Sequence, residues 1–256
     1  MDKRLQAIAE NFDKMKIGVD EPFKFNCTMC GKCCKGRTDI LLNPKDVFNL
    51  AKELNMAPIQ VIEKYCEVYV GESSRIPIVR LVPVGPYQIC PLLNGNRCSV
   101  HNAKPTVCAI FPIGRAFSLP VEEAGSAKFS GKDIQYILQP ITCGDKRKEH
   151  TVREWLTDFN IPVDDQFFVD WQTSVCKIGA CIREIEKTFP ESVMGQIFNL
   201  IFASAYVNYI TTQDFKEQFD KNIAKVVELV EMLPKKLGDF YKFIKENNEG
   251  GNNSDG

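Results

Sequence analysis

The stretch CTMCGKCCKG, residues 27–36, places four cysteines within eight positions. Its first three cysteines, Cys27, Cys30 and Cys33, have the spacing C-x2-C-x2-C. A short loop with this spacing can turn its sulfurs toward one point at about 2.3 Å from each, as zinc or the iron of an iron–sulfur cluster requires. Because several thiolates in one loop repel each other, the spacing predicts a bound metal cation.

Cys34 directly follows Cys33, and the side chains of adjacent residues are expected to diverge. We therefore do not expect the two sulfurs to serve one metal equivalently. Cys34 is predicted to reach a second metal, to hold a different corner of a cluster, or to act as a redox thiol. Lys32, Lys35 and Arg37 lie in or beside the loop and are expected to offset the negative charge of the thiolates.

A second group of cysteines lies further along the chain and is more widely spaced. Cys90 precedes a proline, and a Cys-Pro pair occurs at ferredoxin-type cluster ligands because proline stiffens the loop and cannot donate a hydrogen bond. Cys98, Cys108 and Cys143 follow at longer intervals. With the first group they make eight thiols. That number suits two four-cysteine sites, or one cluster with spare redox thiols.

The other three cysteines do not fit this pattern. Cys66 lies on the apolar face of a predicted helix, whereas Cys176 and Cys181 lie beside the apolar stripe of another, so we expect all three to pack in or beside the core. His101 follows Cys98 by three residues. It is a candidate zinc ligand, although its loop is expected to hold it by hydrogen bonds instead.

The composition is that of an ordinary globular chain, with 256 residues, 44% hydrophobic and 25% charged residues, and a net charge of -1. This balance creates no general attraction to nucleic acid, so no nucleic-acid partner is expected. The N-terminus, MDKRLQAIAENFDKMK, has no apolar signal region, and the longest apolar stretch is too short to span a bilayer. We therefore expect a cytoplasmic protein with no membrane span, in which thiols stay reduced and dense cysteines indicate metal or redox chemistry.

The front half of the chain is predicted to be rich in loops. Nine of the eleven cysteines precede residue 145, and eleven of the fourteen prolines fall between Pro22 and Pro140. Two helices that begin with proline are predicted within this half, followed by irregular or edge strands. The helices are NPKDVFNLAKEL (43–54) and PIQVIEKYCEVY (58–69), and the strands lie in RIPIVRLVPVGPY (75–87).

The back half is predicted to be helical. HTVREWL (150–156) contains a capping box, in which Thr151 is followed by Glu154. Apolar residues then recur at helical spacing over about 164–188, and further helices are expected at about 191–210 and 212–233. The predicted fold class is therefore α+β, with an irregular cysteine-rich metal-binding domain packed on a C-terminal helical bundle. The expected divisions are an N-terminal helix (1–20), the cysteine-cluster metal-binding domain (21–150), a helical region (151–245) and a disordered tail (246–256).

Four segments carry a family resemblance: FNCTMCGKCCKG (25–36), LLNPKDVFNLAKELNM (41–56), ICPLLNGNRCSVHNAKPTVCAIFPIGR (89–115) and CGDKRKEHTVREWL (143–156). They resemble the CxxCxxCC cysteine-cluster family of zinc- or iron-chelating domains, whose members are often called Fe–S cluster oxidoreductases. The resemblance covers residues 20–160. It implies that the cofactor-binding and metal-binding residues are Cys27, Cys30, Cys33, Cys34, Cys90, Cys98, Cys108 and Cys143.

Three functions follow from the pattern and the resemblance. The first is an iron–sulfur protein, with [4Fe–4S] as the expected cluster, which acts in electron transfer or a redox step with a redox protein partner, as an iron–sulfur oxidoreductase would. The second is a zinc-chelating structural or interaction protein, although four-cysteine zinc sites usually show two separate C-x2-C pairs and only the first half does so here. The third is a protein-lysine methylase-like enzyme, because flagellin lysine-N-methylases are a branch of the family, but no methyl-donor motif is recognisable. The sequence leaves open the choice between iron and zinc, the oligomeric state and any enzymatic activity.

Overall fold

The computed structural model describes residues 3–117 and 128–249 and has an α+β fold with a helical C-terminal region, as predicted. Within the described residues the strands are β1 (Pro22–Asn26), β2 (Leu41–Leu42), β3 (Cys66–Val70), β4 (Pro77–Leu81), β5 (Leu93–Asn94), β6 (Arg97–Cys98), β7 (Ile113–Ala116), β8 (Gln135–Leu138) and β9 (Asp145–Thr151). They form small antiparallel sheets: β1 pairs with β9, β5 with β6, and β7 with β8, while β2, β4 and β3 form a three-stranded sheet in that order.

The helices carry the caps that the sequence indicates. Asn43 accepts a hydrogen bond from the backbone N–H of Asp46, whose side chain accepts one from the N–H of Asn43. Thr151 and Glu154 form the predicted capping box. In the described ranges the helices are α1 (Lys3–Glu10), α2 (Phe12–Met15), α3 (Pro44–Glu53), α4 (Pro58–Tyr65), α5 (Thr106–Ala109), α6 (Val152–Thr157), α7 (Gln166–Ile185), α8 (Glu191–Phe202) and α9 (Phe215–Glu249).

The second predicted helix of the front half is shorter than expected. It ends at Tyr65, and the following residues form β3, whose Val68 lies opposite Val79 of β4. The spacing of a short apolar run does not distinguish a helix from a strand. Here antiparallel pairing with β4 stabilises the strand. β4 is the central strand of its sheet and not an irregular or edge strand. Its proline, Pro77, is the first residue of the strand, so no bond inside the ladder is lost.

In the back half, α7 lies within the predicted range, whereas α8 ends at Phe202 and continues as a π-helical turn over Ala203–Val207. The backbone of α9 is helical to Glu249, beyond the expected end at 233 and into the range predicted as a disordered tail. Residues 250–256 of that range lie outside the described residues. None of the helices in the described part of the chain has both the length and the apolar character of a membrane span.

Two hydrophobic cores organise the fold. The larger core joins α3, α4 and the sheet β2–β4 to α7, α8 and α9, so it draws residues from both sides of position 150. The smaller core lies among β1, β7, β8 and α6. Cys90, Cys98 and Cys108 pack against the larger core, while Cys33 and Cys143 pack against the smaller one. The cysteine-bearing segments therefore lie where the two cores meet.

Candidate metal centre

All eight cysteines predicted as ligands line one cavity, of about 100 Å³. We call it the cysteine cavity. Four separate parts of the chain supply them: the loop after β1, the hairpin β5–β6 with its flanks, the short helix α5, and the residues before β9. The cysteines are Cys27, Cys30, Cys33, Cys34, Cys90, Cys98, Cys108 and Cys143.

The loop after β1 turns sharply at a glycine. Gly31 has φ +68° and precedes a 3-10 turn over Lys32–Cys34. This left-handed backbone is readily adopted by glycine, and it starts the curl that brings the following cysteines to the cavity. The Sγ atoms of Cys33 and Cys34 lie 3.9 Å apart, so the expectation that adjacent side chains diverge is wrong for this pair. Rotation about the Cα–Cβ bonds brings the two sulfurs together although the backbone directions differ.

Backbone hydrogen bonds fasten this loop to the second cysteine group. The N–H of Cys90 donates to the carbonyl of Cys34 at 2.8 Å, and the N–H of Gly36 donates to the carbonyl of Gln88 at 2.9 Å. Cys98 lies opposite Leu93 in the hairpin that follows. The two cysteine groups, which are distant in sequence, are thus held side by side by main-chain contacts.

The segment that bears Cys108 is anchored by a buried carboxylate. Asp46 of α3 accepts hydrogen bonds from the N–H and the hydroxyl of Thr106, at 2.8 and 2.7 Å. Thr106 is the first residue of α5, and Cys108 is its third. Burial raises the pKa of Asp46, against the hydrogen bonds from Thr106 and Asn43, which lower it.

Cys143 reaches the cavity through the pairing of β9 with β1. Asn26 lies opposite Asp145 in this pair. Gly144, which directly precedes Asp145, has φ +70°, and a Cβ placed there would stand 2.5 Å from the carbonyl oxygen of Asn26. Hydrogen bonds from the backbone N–H groups of Lys32 and of Gly144 lower the pKa of Cys30. The β1–β9 pair therefore positions both a cysteine and an N–H group that stabilises a neighbouring thiolate.

The sulfurs differ strongly in acidity. A hydrogen bond from Cys34 lowers the pKa of Cys33 to about 6, with a hydrogen bond from Cys143 and the positive charges of Lys104 and Arg37 acting in the same direction. The pKa of Cys34 is raised, because its thiol donates a hydrogen bond to Cys33 and is partly buried. One thiolate is thus favoured at neutral pH, and its neighbour stays protonated.

Burial raises the pKa values of Cys90, Cys108 and Cys143, the last to about 11. A metal cation reverses this effect because it favours the thiolate over the thiol, so metal binding releases protons. Among residues 3–117 and 128–249, no three His, Cys, Asp or Glu side chains stand close enough together to hold an ion as they are arranged. The cysteines share a cavity, and metal binding requires their sulfurs to converge within it.

The other residues around the cavity fit a sulfur-rich site. His101 lines it and is exposed, and no Asp or Glu is among the described residues that line it. Asn96 and Trp155 also line it and were not anticipated there. Trp155 is also buried in the smaller core, and nothing in the local sequence indicates its position at the cavity. The donor set is chemically suited to zinc or to iron–sulfur clusters, which prefer thiolates.

The three cysteines that were not predicted as ligands lie outside the cysteine cavity. Cys66 and Cys181 pack against the larger core, as predicted, although Cys66 begins the strand β3 and does not lie in a helix. Cys176 is half-buried on α7. These residues are useful controls, because they are thiols of the same chain without access to the site.

A family model described as "CxxCxxCC: Putative zinc- or iron-chelating domain" matches residues 26–158, which is just over half of the chain and contains all eight cysteines of the cavity. Comparisons with curated proteins and with solved structures gave no match. The matched range agrees with the segments whose resemblance was seen in the sequence. The chain therefore belongs to the CxxCxxCC family of zinc- or iron-chelating domains, and it is a metal-binding protein.

Proposed function

We propose that the chain holds an iron–sulfur centre in the cysteine cavity, with [4Fe–4S] as the expected cluster, and uses it for electron transfer or a redox step. The observation that carries this proposal is the gathering of eight cysteines from four parts of the chain around one cavity. A donor set of thiolates suits an iron–sulfur cluster. When bound, such a cluster supplies one-electron chemistry.

The protein's own groups would bind and tune this centre. The eight cysteines are the proposed ligands, and Arg37 and Lys104 line the same cavity with positive charge. N–H groups of Lys32 and Gly144 point at Cys30. Hydrogen bonds to sulfur and burial between two cores are the means by which a protein sets the potential of a cluster.

Purification without oxygen, followed by measurement of iron, acid-labile sulfide and zinc, tests the proposal. We expect a coloured protein with iron and sulfide in equal amounts and a paramagnetic resonance signal on reduction. Cys98→Ser should lower the iron content, whereas the matched variant Cys176→Ser, outside the cavity, should retain it. Colourless protein that carries zinc alone would remove the redox proposal, and protein without either metal would remove both candidates.

Zinc chelation is the second candidate, and one distance favours it. Two thiolates on one tetrahedral zinc ion, each at about 2.3 Å, lie about 3.8 Å apart. The sulfurs of Cys33 and Cys34 are 3.9 Å apart. In a [4Fe–4S] cluster each iron takes one cysteine, so this pair fits two ligands of a single ion better. Replacing Cys34 with serine should then reduce zinc binding as strongly as replacing Cys33.

Three further proposals concern the location of the chain, its partner and an alternative activity. All eleven cysteines are free thiols, which agrees with a cytoplasmic location where thiols stay reduced. A redox protein partner follows from the iron–sulfur proposal and is not expected if the centre is zinc.

The methylase-like alternative predicts that S-adenosylmethionine binds the metal-loaded chain in calorimetry. An absence of binding heat would rule this alternative out.

A further inference from the structure

A second and larger cavity, of about 530 Å³, lies between α7 and the cysteine-bearing front of the chain. We call it the seam cavity, and its walls include Phe12, Arg37, Arg115, Trp171 and Tyr206. None of the eight cysteines lines it, but it borders the cysteine cavity, with which it shares Arg37 and Val107. Its volume is within the range of about 300–1,000 Å³ that is typical of small-molecule sites.

A buried cation faces this cavity. The side chain of Arg115 is only 5% exposed, its Nη1 donates to Asp165 at 2.8 Å, and its guanidinium lies over the ring of Phe168 at 4.1 Å from the centroid. Asp165 does not line the seam cavity, whereas Arg115 does. The carboxylate that pairs with Arg115 is therefore not part of the cavity wall. Burying a guanidinium costs free energy unless it is paired, and Asp165 supplies that pair for Arg115.

The formal charges on the cavity wall do not cancel. Among the described residues that line it, the charged side chains are Arg37, Asp39 and Arg115. Asp39 is already engaged, because it accepts hydrogen bonds from Arg37 and also pairs with Arg4 at 3.1 Å. The lining itself thus carries two guanidiniums and one carboxylate, and Asp165, the carboxylate that balances Arg115, lies outside the lining. This favours an anionic group on the ligand.

The rest of the wall is apolar and aromatic, with a few amides. Phe12, Phe168, Trp171 and Tyr206 supply ring surfaces, and Gln172 supplies an amide. A mostly apolar lining with a few convergent polar groups is the usual constitution of a small-molecule site. The aromatic rings suit a flat apolar body, and the arginines suit an acidic head.

We propose that the seam cavity binds a small organic anion with an aromatic or otherwise flat apolar body, whose carboxylate, sulfonate or phosphate head lies at Arg115. This site is separate from the metal centre and uses none of its ligands. Its binding can therefore be measured with or without metal, and its failure would say nothing about the iron–sulfur proposal.

The chain contains two tryptophans, and only one of them lines the seam cavity. In a Trp155→Phe background, Trp171 is the sole indole and reports on the cavity. The probe is anilinonaphthalene sulfonate, an aromatic anion, and the matched control is phenylnaphthylamine, which lacks the sulfonate. We expect the anion to quench Trp171 saturably and to bind about tenfold more tightly than the neutral compound, because a charge-assisted hydrogen bond is lost in the latter.

Two variants of residues that line the cavity test the site, and each is expected to change binding of the two compounds in a different way. Arg115→Gln should weaken the anion about tenfold and leave the neutral compound unchanged, since only the charge-assisted contact is removed. Arg115→Gln also leaves Asp165 without its cation, so a second variant, Val175→Phe, is needed. Val175 lines the cavity from α7 and has no charge to pair. The larger side chain of phenylalanine should exclude both compounds.

Arg153→Gln is the control, because Arg153 forms an exposed ion pair with Asp20 at 2.8 Å and does not line the cavity. The Arg153→Gln variant should bind both compounds with the same affinities as the Trp155→Phe background that it is made in. Equal affinity for the anion and the neutral compound would overturn the anionic class. Unchanged quenching of Trp171 in a folded Val175→Phe variant, verified by circular dichroism, would overturn the site itself.

Discussion

Asp46 and Thr106 are joined by two hydrogen bonds, in which the backbone N–H and the hydroxyl of Thr106 donate to the same carboxylate oxygen at 2.8 and 2.7 Å. The other oxygen of Asp46 accepts from the N–H of Asn43 at 3.1 Å. One buried carboxylate thus caps α3 and anchors α5, the helix that presents Cys108 to the cysteine cavity. Asp46 itself does not line that cavity.

Asp46→Ala should therefore lower the free energy of unfolding by about 3 kcal/mol, because three donors on the half-buried residues Asn43 and Thr106 lose their acceptor. Denaturant unfolding measures this. The control is Asp133→Ala: Asp133 accepts from the N–H of Ser130 at 2.8 Å in the same capping geometry, but both residues are exposed. There the expected loss is much smaller, because exposed groups hydrogen-bond to water instead. Equal losses in the two variants would show that the Asp46 network is not special.

Gly144→Ala should disturb the approach of Cys143 to the cavity. Gly144 has φ +70°, and an added Cβ would lie 2.5 Å from the carbonyl oxygen of Asn26 and 2.8 Å from the ring of Phe25. Gly36→Ala is the matched control, because Gly36 has φ +66° with nothing within 4 Å of an added Cβ. The strained φ costs about 1 kcal/mol in both, and the collision should add about 2 kcal/mol at Gly144 only. Thermal unfolding measures the stability lost in each variant. An equal loss at Gly144 and Gly36 would contradict a steric role for Gly144.

Metal removal should uncouple the two hydrophobic cores. Cysteines that pack on the larger core and cysteines that pack on the smaller core line the same cavity, so a metal bound by both would join them. Trp171 is buried in the larger core and Trp155 in the smaller one, so single-tryptophan variants report on each core separately.

With metal, we expect both tryptophans to report one unfolding midpoint, stabilised by about 3 kcal/mol when free metal is about 100-fold above its Kd. Without metal, the midpoints should separate, and the smaller core should unfold first. Cys143→Ser should reproduce the separation in the presence of metal, whereas Cys181→Ser should not. Coincident midpoints after complete metal removal would contradict a coupling role for the metal.

In the metal-free chain, Cys33 should be the first thiol to be alkylated. The hydrogen bond from Cys34 lowers the pKa of Cys33 to about 6, while burial raises the pKa of Cys108. Because the thiolate is the nucleophile, the rate at Cys33 should rise with pH through about 6 and level off above it.

Iodoacetamide labelling with peptide mass spectrometry measures the rate at each cysteine. Cys34→Ala removes the donated hydrogen bond and should slow labelling of Cys33 at neutral pH about tenfold, because the pKa returns toward its usual value. Cys176→Ala, remote from the pair, should leave the rate unchanged. A rate at Cys33 that rises only above pH 8 would mean that Cys34 does not stabilise the thiolate.

Several local elements were predictable because their causes are local. Asn43 with Pro44 and Thr151 with Glu154 start their helices at the expected residues, since caps act on the backbone within one turn. The strand β3 was predicted as part of a helix, because an apolar run of this length suits either structure. Its pairing with β4, which begins at Pro77, is a contact between separate segments and leaves no local trace.

Local sequence patterns were enough to predict the α+β class, through helix caps and apolar spacing, and the family, through four matching segments. The family resemblance also implied which eight cysteines belong together, and all eight line one cavity. No local pattern indicated that these cysteines share one cavity between two cores, that the sulfurs of Cys33 and Cys34 lie 3.9 Å apart, or that Arg115 is buried beside a second cavity. The physical reason is that such arrangements depend on which distant segments bury their apolar surface together, and on charges that burial forces into pairs.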